Sequence, residues 1–309
     1  AMGYKVFKIG KRQTLLPTVT ASPRLLKNGL LKVSLDEDGI ITSIFDKKNG
    51  REVLRGQGNL LTIFQDKCVH ETAWNLELNY QIKFWELKSA KSIRVMESNE
   101  LRGIIRIERV FNKSTIIQDI ILYTESDRLD FKTYAQWYES DKLLKAAFDV
   151  DIHSRNATFE IAHGALERPT HWSNSFDLAR FEQCGHKWAD LSEGDYGVSL
   201  LNDCKYGYDI KDNVMRLSLL RAPTCPDRTA DQGTHRFTYS LYPHKGGWRE
   251  GGSVQKAFEL NLPLEAFILQ KQEGPLPGKL SFLSADVPNV IIDTVKPAQN
   301  GDGIILRVY

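Results

Sequence analysis

An all-β fold is what this sequence predicts: a large antiparallel sandwich followed by a small β module. Three observations carry it. Turn residues recur at short intervals, the segments between them are rich in β-branched and aromatic residues with partial alternation, and helix signals are scarce. At 309 residues, 41% hydrophobic and 26% charged, the chain has material for an ample core in one large or two ordinary domains.

The elements follow in order. Leu30–Leu35 and Ile40–Phe45 form a hairpin, joined by Asp36-Glu37-Asp38-Gly39 and closed by Asp46-Lys47-Lys48-Asn49-Gly50, with turn chemistry at both ends. Arg102–Phe111, Thr115–Tyr123 and Arg128–Gln136 succeed one another as a meander, and Leu143–Ile152 and Ala157–Ala162 continue it. Gly197–Leu201, Val214–Arg221 and His235–Tyr242 add three strands, the second entered through a tight turn at Lys211-Asp212-Asn213. One helix is expected, with Ser253 as its N-cap and about two turns from Val254. Gly274-Pro275-Leu276-Pro277-Gly278 is the clearest linker. Beyond it Leu280–Ser284, Val290–Val295 and Ile304–Tyr309 form the terminal module. The expected divisions are a lead-in over 1–20, a sandwich domain over 21–273 and the module over 274–309. Ala1-Met2-Gly3 is set aside as a tag scar, and the end at Tyr309, in mid-strand register, reads as trimmed.

Composition excludes several function classes. Net charge is +2 with both signs interspersed and no Lys/Arg block, so nothing points to nucleic acid or an anionic membrane. No apolar run approaches the roughly 20 residues a membrane helix needs. Cys68, Cys184, Cys204 and Cys225 lie far apart with no CxxC pair, which argues for buried reduced thiols and a reducing compartment rather than a zinc or disulfide framework.

The stretch from His163 to His244 is the most distinctive part of the chain, dense in Trp, His, Asp and Gly between apolar strands. Its ordered motifs are Glu167-Arg168-Pro169-Thr170-His171, Cys184-Gly185-His186-Lys187-Trp188-Ala189-Asp190, Gly197 through Gly207 (GVSLLNDCKYG), Leu219-Leu220-Arg221-Ala222-Pro223, Ala230-Asp231 and Pro243-His244-Lys245-Gly246. With the hairpin NGLLKVSLDEDGIITSIFDK and the segment Val254–Leu264, these residues resemble the C-terminal β portion of family 38 α-mannosidases, of the cytosolic and vacuolar type. The hairpin alone is a weak signal shared with other mutarotase-like domains, while the run from Glu167 to Leu264 is a strong one. The likeness covers nearly everything after the first twenty residues and implies a galactose-mutarotase-like supersandwich.

That family implies a retaining, metal-dependent glycosidase acting on terminal α-mannosides. An aspartate attacks the anomeric carbon, a second carboxylic acid protonates the leaving oxygen, and a divalent zinc-type ion holds the sugar hydroxyls. The two carboxyls must stand about 5–5.5 Å apart, and the metal needs clustered His and Asp ligands. In the family these groups sit on an N-terminal α/β barrel and the helical segment after it. The strands alternating with helices that would mark such a barrel over roughly 200 residues do not occur here, nor does any His-x-Asp, His-His-Asp or His-Glu-x-x-His. The expectation is therefore a fragment with no catalytic residue and no metal ligand, acting as scaffold and as one wall of the sugar site, and inactive alone. It would meet α-mannoside oligosaccharides through the parent enzyme, have the barrel as its intramolecular partner, and be cytoplasmic. A homo-oligomer stays open.

Five residues are the candidates for sugar contact. Trp172, beside His171 on a Ser/Asn loop, offers an indole face for pyranose C–H groups, and a plug at the sandwich edge is the plainer role. Arg228, Asp231 and His235 lie on or beside the loop 225–234, at the place where the resemblance puts a polar loop reaching the sugar; Arg236 is an equal alternative to Arg228. Tyr206 belongs to the motif Asn202-Asp203-Cys204-Lys205-Tyr206, where a buried Asn-Asp pair satisfying turn amides is as good a reading. His163, His171 and His186 are spaced too widely for a local metal site. Trp188 reads as core; Asp190, Glu193 and Asp195 could pass for a carboxylate cluster, but Leu191-Ser192-Glu193-Gly194-Asp195 reads as a solvated turn. Two other functions compete: a stand-alone carbohydrate-binding or structural module, and a mutarotase-like enzyme pairing His235 or His171 as acid with Glu167 as base.

Overall fold

The hairpin near the start shows local chemistry deciding local structure. Leu31–Leu35 pairs antiparallel with Ile41–Asp46. At its tip the Asp36 carboxylate accepts the amides of Asp38 and Ile40, and Gly39 takes φ +74°. At its close the Asp46 carboxylate accepts the amides of Lys48 and Asn49. The computed structural model describes residues 2–8, 10, 19–270 and 274–309, which fall into two units, 1–14 with 264–309 and 15–263.

The larger unit is a stack of antiparallel sheets. Nine strands run in the order Gly164–Pro169, Asn156–Ile161, Trp188–Glu193, Tyr196–Asn202, Gly233–Lys245, Leu129–Trp137, Ser114–Tyr123, Arg102–Phe111, Ser92–Ser98. Six more run Gln183–Cys184, Gly207–Lys211, Val214–Arg221, Lys142–Asp149, Leu60–Gln65, Phe84–Glu86. Their inner faces meet in one core, where Phe131 stacks on Tyr239 at 5.0 Å and Phe148 of the second sheet closes on Phe131 at 5.5 Å. A five-stranded sheet built around the hairpin adds Leu26, Leu31, Val33, Ile41 and Ile44 to that core. Gly103 lets it approach: a Cβ there would sit 2.6 Å from Leu26 Cδ1. Arg109 also points inward, its guanidinium donating to the carbonyls of Leu87, Asp38 and Gly39, and burial pulls its pKa down to about 10.

Three local expectations are corrected. The helix runs Ser253–Asn261, but its N-cap is Gly252 in the left-handed region, because the Ser253 hydroxyl is turned inward to bond Ser199 Oγ at 2.7 Å. Of the turn read over Leu191–Asp195, only Gly194-Asp195 is an exposed turn: Trp188–Glu193 is a strand paired with Tyr196–Asn202, and Asp190 is buried. Of the cysteines, all free, only Cys68 is buried; Cys184, Cys204 and Cys225 are exposed. Of the lead-in over 1–20, residues 1, 9 and 11–18 lie outside the described residues. Within it Met2–Lys5 is a strand of the smaller unit, paired with Lys279–Leu283. Ile292–Pro297 pairs with Ile304–Val308. Among the described residues no helix is long and apolar enough to cross a membrane.

Candidate functional site

Strand Val214–Arg221 divides the candidate residues. It has eight residues and so spans about 25 Å. It begins at the Asp212-Asn213 turn and ends where the 222–232 loop departs. Trp172 belongs to the first end, where the Lys211 ammonium sits 3.8 Å from its ring centroid and Asp212 N donates to Thr170 O at 2.7 Å. Tyr206, Arg228, Asp231 and His235 belong to the other end. The register places Gln65 opposite Lys142 and Arg221 opposite Leu143 there, and Trp137 opposite Gly233. Trp172 therefore does not join the other four.

At that far end the 222–232 loop is held by the segment after Gln65. The Thr72 hydroxyl accepts the amides of Thr224 and Cys225 at 3.0 and 2.9 Å, and Ala73 N donates to Cys225 O at 3.1 Å. Thr224 Oγ1 donates to Asp141 at 2.9 Å, and the Cys225–Pro226 peptide is cis. Arg221, just before the loop, pairs with the buried Asp66 and donates to Asn75 O. Farther along, Gln232 reaches Ser140 Oγ at 3.2 Å, and His235 Nε2 donates to Asp231 O at 2.7 Å, with Asp231 at φ +59°. The Asp227 carboxylate is held by the amide and hydroxyl of Thr229, which lower its pKa. Arg228 stands exposed at the tip. Such a loop can present a guanidinium and turn carbonyls to hydroxyl groups.

Tyr206 lies on a ledge beside the same strand Gly233–Lys245. Asp203 accepts Thr238 N at 2.8 Å, the Lys205 ammonium lies 4.4 Å from the Phe237 centroid, and the exposed Tyr206 ring packs at 5.5 Å against His186. Asn202 is buried beneath it, accepting Lys205 N at 2.6 Å and donating to His186 O at 2.8 Å, so its part is structural. The sequence reading missed Thr72 and two exposed aromatics on neighbouring loops, Trp74 and Tyr138. An isolated Thr in a polar loop has no signature until its partner loop is placed beside it.

Two buried clusters have the residue types of catalysis without its geometry. Ser199, His244 and Asp190 meet, but His244 uses one nitrogen, Nε2, toward both Ser199 (3.2 Å) and Asp190 (2.7 Å), while Nδ1 is buried without a partner. A relay needs the two nitrogens to serve different partners, and all three residues are sealed in the interior. Lys145, fully buried, meets Asp209 at 2.6 Å, Tyr80 OH at 3.0 Å and Glu182; burial lowers its pKa. This cluster anchors residues 78–82 against the sheet. Glu167 and His235 are four strand spacings apart, about 19 Å, so they form no acid–base pair. Among the described residues no group of three His, Cys, Asp or Glu is placed to hold a metal ion.

Residues 26–229 match the family model described as the glycosyl hydrolases family 38 C-terminal domain. The chain is 37% identical over 302 residues to alpha-mannosidase G of Dictyostelium discoideum, covering 92% of this chain and 27% of that protein. It is 38% identical over 293 residues to human alpha-mannosidase 2C1, covering 92% and 28%. Among solved structures, an alpha-mannosidase from Enterococcus faecalis V583 superposes with a TM-score of 0.82 at 15% identity, covering 96% of this chain and 38% of that one. The chain thus spans just over a quarter of the length of the curated relatives it matches.

Proposed function

The chain belongs to the glycosyl hydrolases of family 38, as their C-terminal domain, and from that premise we propose that it is the non-catalytic β portion of a retaining α-mannosidase. It serves as scaffold and, through the 222–232 loop and the ledge at Tyr206, as one wall of the sugar site. The observation that carries this is the family match over 26–229 combined with relatives named α-mannosidases that extend far beyond the matched part. Arg228 is the residue proposed to reach the substrate, supported by its exposure at the tip of a loop pinned at Thr72 and Gln232. The nucleophile, the acid and the zinc-type ion are assigned to the rest of the parent protein. Trp172 is dropped from this wall, since it lies at the other end of the sandwich. The substrates proposed are terminal α-mannosides of oligosaccharides. A cytoplasmic location is part of the same reading, supported by four unpaired thiols.

The test is hydrolysis of an aryl α-mannoside by the 309-residue chain and by a full-length parent. The chain alone should give no turnover above background. Turnover by the chain alone, abolished by a chelator, would falsify the assignment. In the full-length protein Arg228→Gln should raise KM about tenfold or more if its guanidinium hydrogen-bonds the sugar. An unchanged KM moves the contact to another residue of the loop.

A further inference from the structure

Of the chain's six tryptophans, five have an evident structural use. Trp137 and Trp188 are fully buried, Trp85 packs against Phe111 at 5.7 Å, Trp248 packs against Trp188 at 5.0 Å, and Trp172 carries the Lys211 ammonium. Trp74 has none of these. It is 69% exposed, and among the described residues its ring meets no other aromatic and no cation, and its Nε1 makes no hydrogen bond. Tryptophan is highly buried on average and enriched where one molecule meets another, so a bare indole on a rigid turn marks a contact surface.

The backbone beneath Trp74 is held fast. Trp74 N and Asn75 N both donate to Glu71 O, at 2.9 and 3.1 Å, which closes a turn. On one side Ala73 N donates to Cys225 O at 3.1 Å, and the Thr72 hydroxyl holds the amides of Thr224 and Cys225. On the other, Asn75 O accepts Cys68 Sγ at 2.9 Å and the Arg221 guanidinium. A side chain on such a backbone has little freedom left to lose when it takes a ligand, which suits a recognition group. The same bonds seat Trp74 at the base of the 222–232 loop. Arg228 lies three positions beyond Cys225, so their Cα atoms are within about 11 Å, a distance of the order of one disaccharide.

We infer that Trp74 is a stacking platform for the sugar on the leaving side of the terminal mannose, and so a specificity-determining residue for oligosaccharides. The inference rests on the mannosidase reading above. Where Arg228 meets the terminal mannose, an aromatic nearby meets the next sugar, because a terminal residue has a neighbour on its leaving side alone. A pyranose presents C–H groups from one face. An indole takes them by apolar contact while its N–H stays free for a hydroxyl or water.

The experiment uses the full-length parent and two substrates that share the mannose and differ beyond it: a linear α-mannotriose, and α-mannosyl fluoride, whose leaving group has no ring. Trp74→Ala should raise KM for the mannotriose about fivefold and leave that for the fluoride unchanged, and Trp74→Phe should restore most of the loss. An equal change on both substrates overturns the inference, as does no change on either. A lowered Tm of Trp74→Ala with both KM values unchanged assigns the indole to a contact with the rest of the parent, and also overturns it. A natural parent that hydrolyses neither substrate overturns the mannosidase reading and this inference with it. Hydrolysis of both by the natural parent, with the ratio of KM values kept in Trp74→Ala, overturns this inference alone.

Discussion

Glu193 ties three segments with one carboxylate. It accepts His153 N at 2.6 Å and pairs with Arg51, whose guanidinium also donates to Asp151 O at 2.7 Å. Burial pushes its pKa up, but the His153 amide and the Arg51 charge outweigh that, and the carboxyl ends below its ordinary 4.5. A folded pKa below the unfolded one means stability that is complete above pH 4.5 and is lost as pH falls through the folded value. Acid titration of urea stability should therefore be shallower below pH 4.5 in Glu193→Gln than in the natural chain; parallel curves would place the acid sensitivity elsewhere. At Lys145 the concern is burial. Lys145→Met leaves Glu182 and Asp209 without their shared cation, although Arg216 still holds Asp209 at 2.8 Å. The expected loss is about 3 kcal/mol in denaturant unfolding.

Between elements, close approach and loop anchoring decide what can change. Gly103 sits where the hairpin sheet meets the nine-stranded one, and a Cβ there would stand 2.6 Å from Leu26 and 2.8 Å from Val19. Gly103→Val should destabilise by about 1–3 kcal/mol through overpacking, read as a lower urea midpoint with an unchanged slope. Thr72 is the hinge pin of the 222–232 loop. Thr72→Val should free the amides of Thr224 and Cys225, costing about 1–2 kcal/mol locally. Hydrogen exchange at those two amides is the readout, and unchanged protection would show that Asp141 and Ala73 suffice to hold the loop. Strands with alternation and flanking turns, such as Arg102–Phe111 and Val214–Arg221, were legible from sequence. Leu60–Gln65 was not, because both its faces are buried and no alternation marks it. Trp188–Glu193 was hidden by polar residues that look solvated until Ser199 and His244 are placed against Asp190.

At the scale of the molecule the two units differ in kind. The larger has a continuous core, while no described residue of the smaller is buried, and Leu264, Phe267, Ile268 and Leu269 stand exposed. Two-stranded sheets without a covered face are marginal in water. Amides of Met2–Lys5, Lys279–Leu283 and Ile304–Val308 should therefore exchange orders of magnitude faster than those of Leu129–Trp137. Equal protection would mean that the smaller unit is covered in solution. Exposed apolar segments of this kind also favour association, which sedimentation at rising concentration would register.

Sequence by itself determined the fold class, the turns and the family, because turn chemistry and strand alternation act over a few residues and the motif order is written along the chain. It also named the loop 225–234 as the place to look. Only the tertiary structure decided which candidates share an end of the sandwich, separating Trp172 from Tyr206, Arg228, Asp231 and His235. The reason is pairing at long range: Arg221 meets Asp66 across 155 positions and Thr72 meets Cys225 across 153, and no local signal encodes such contacts.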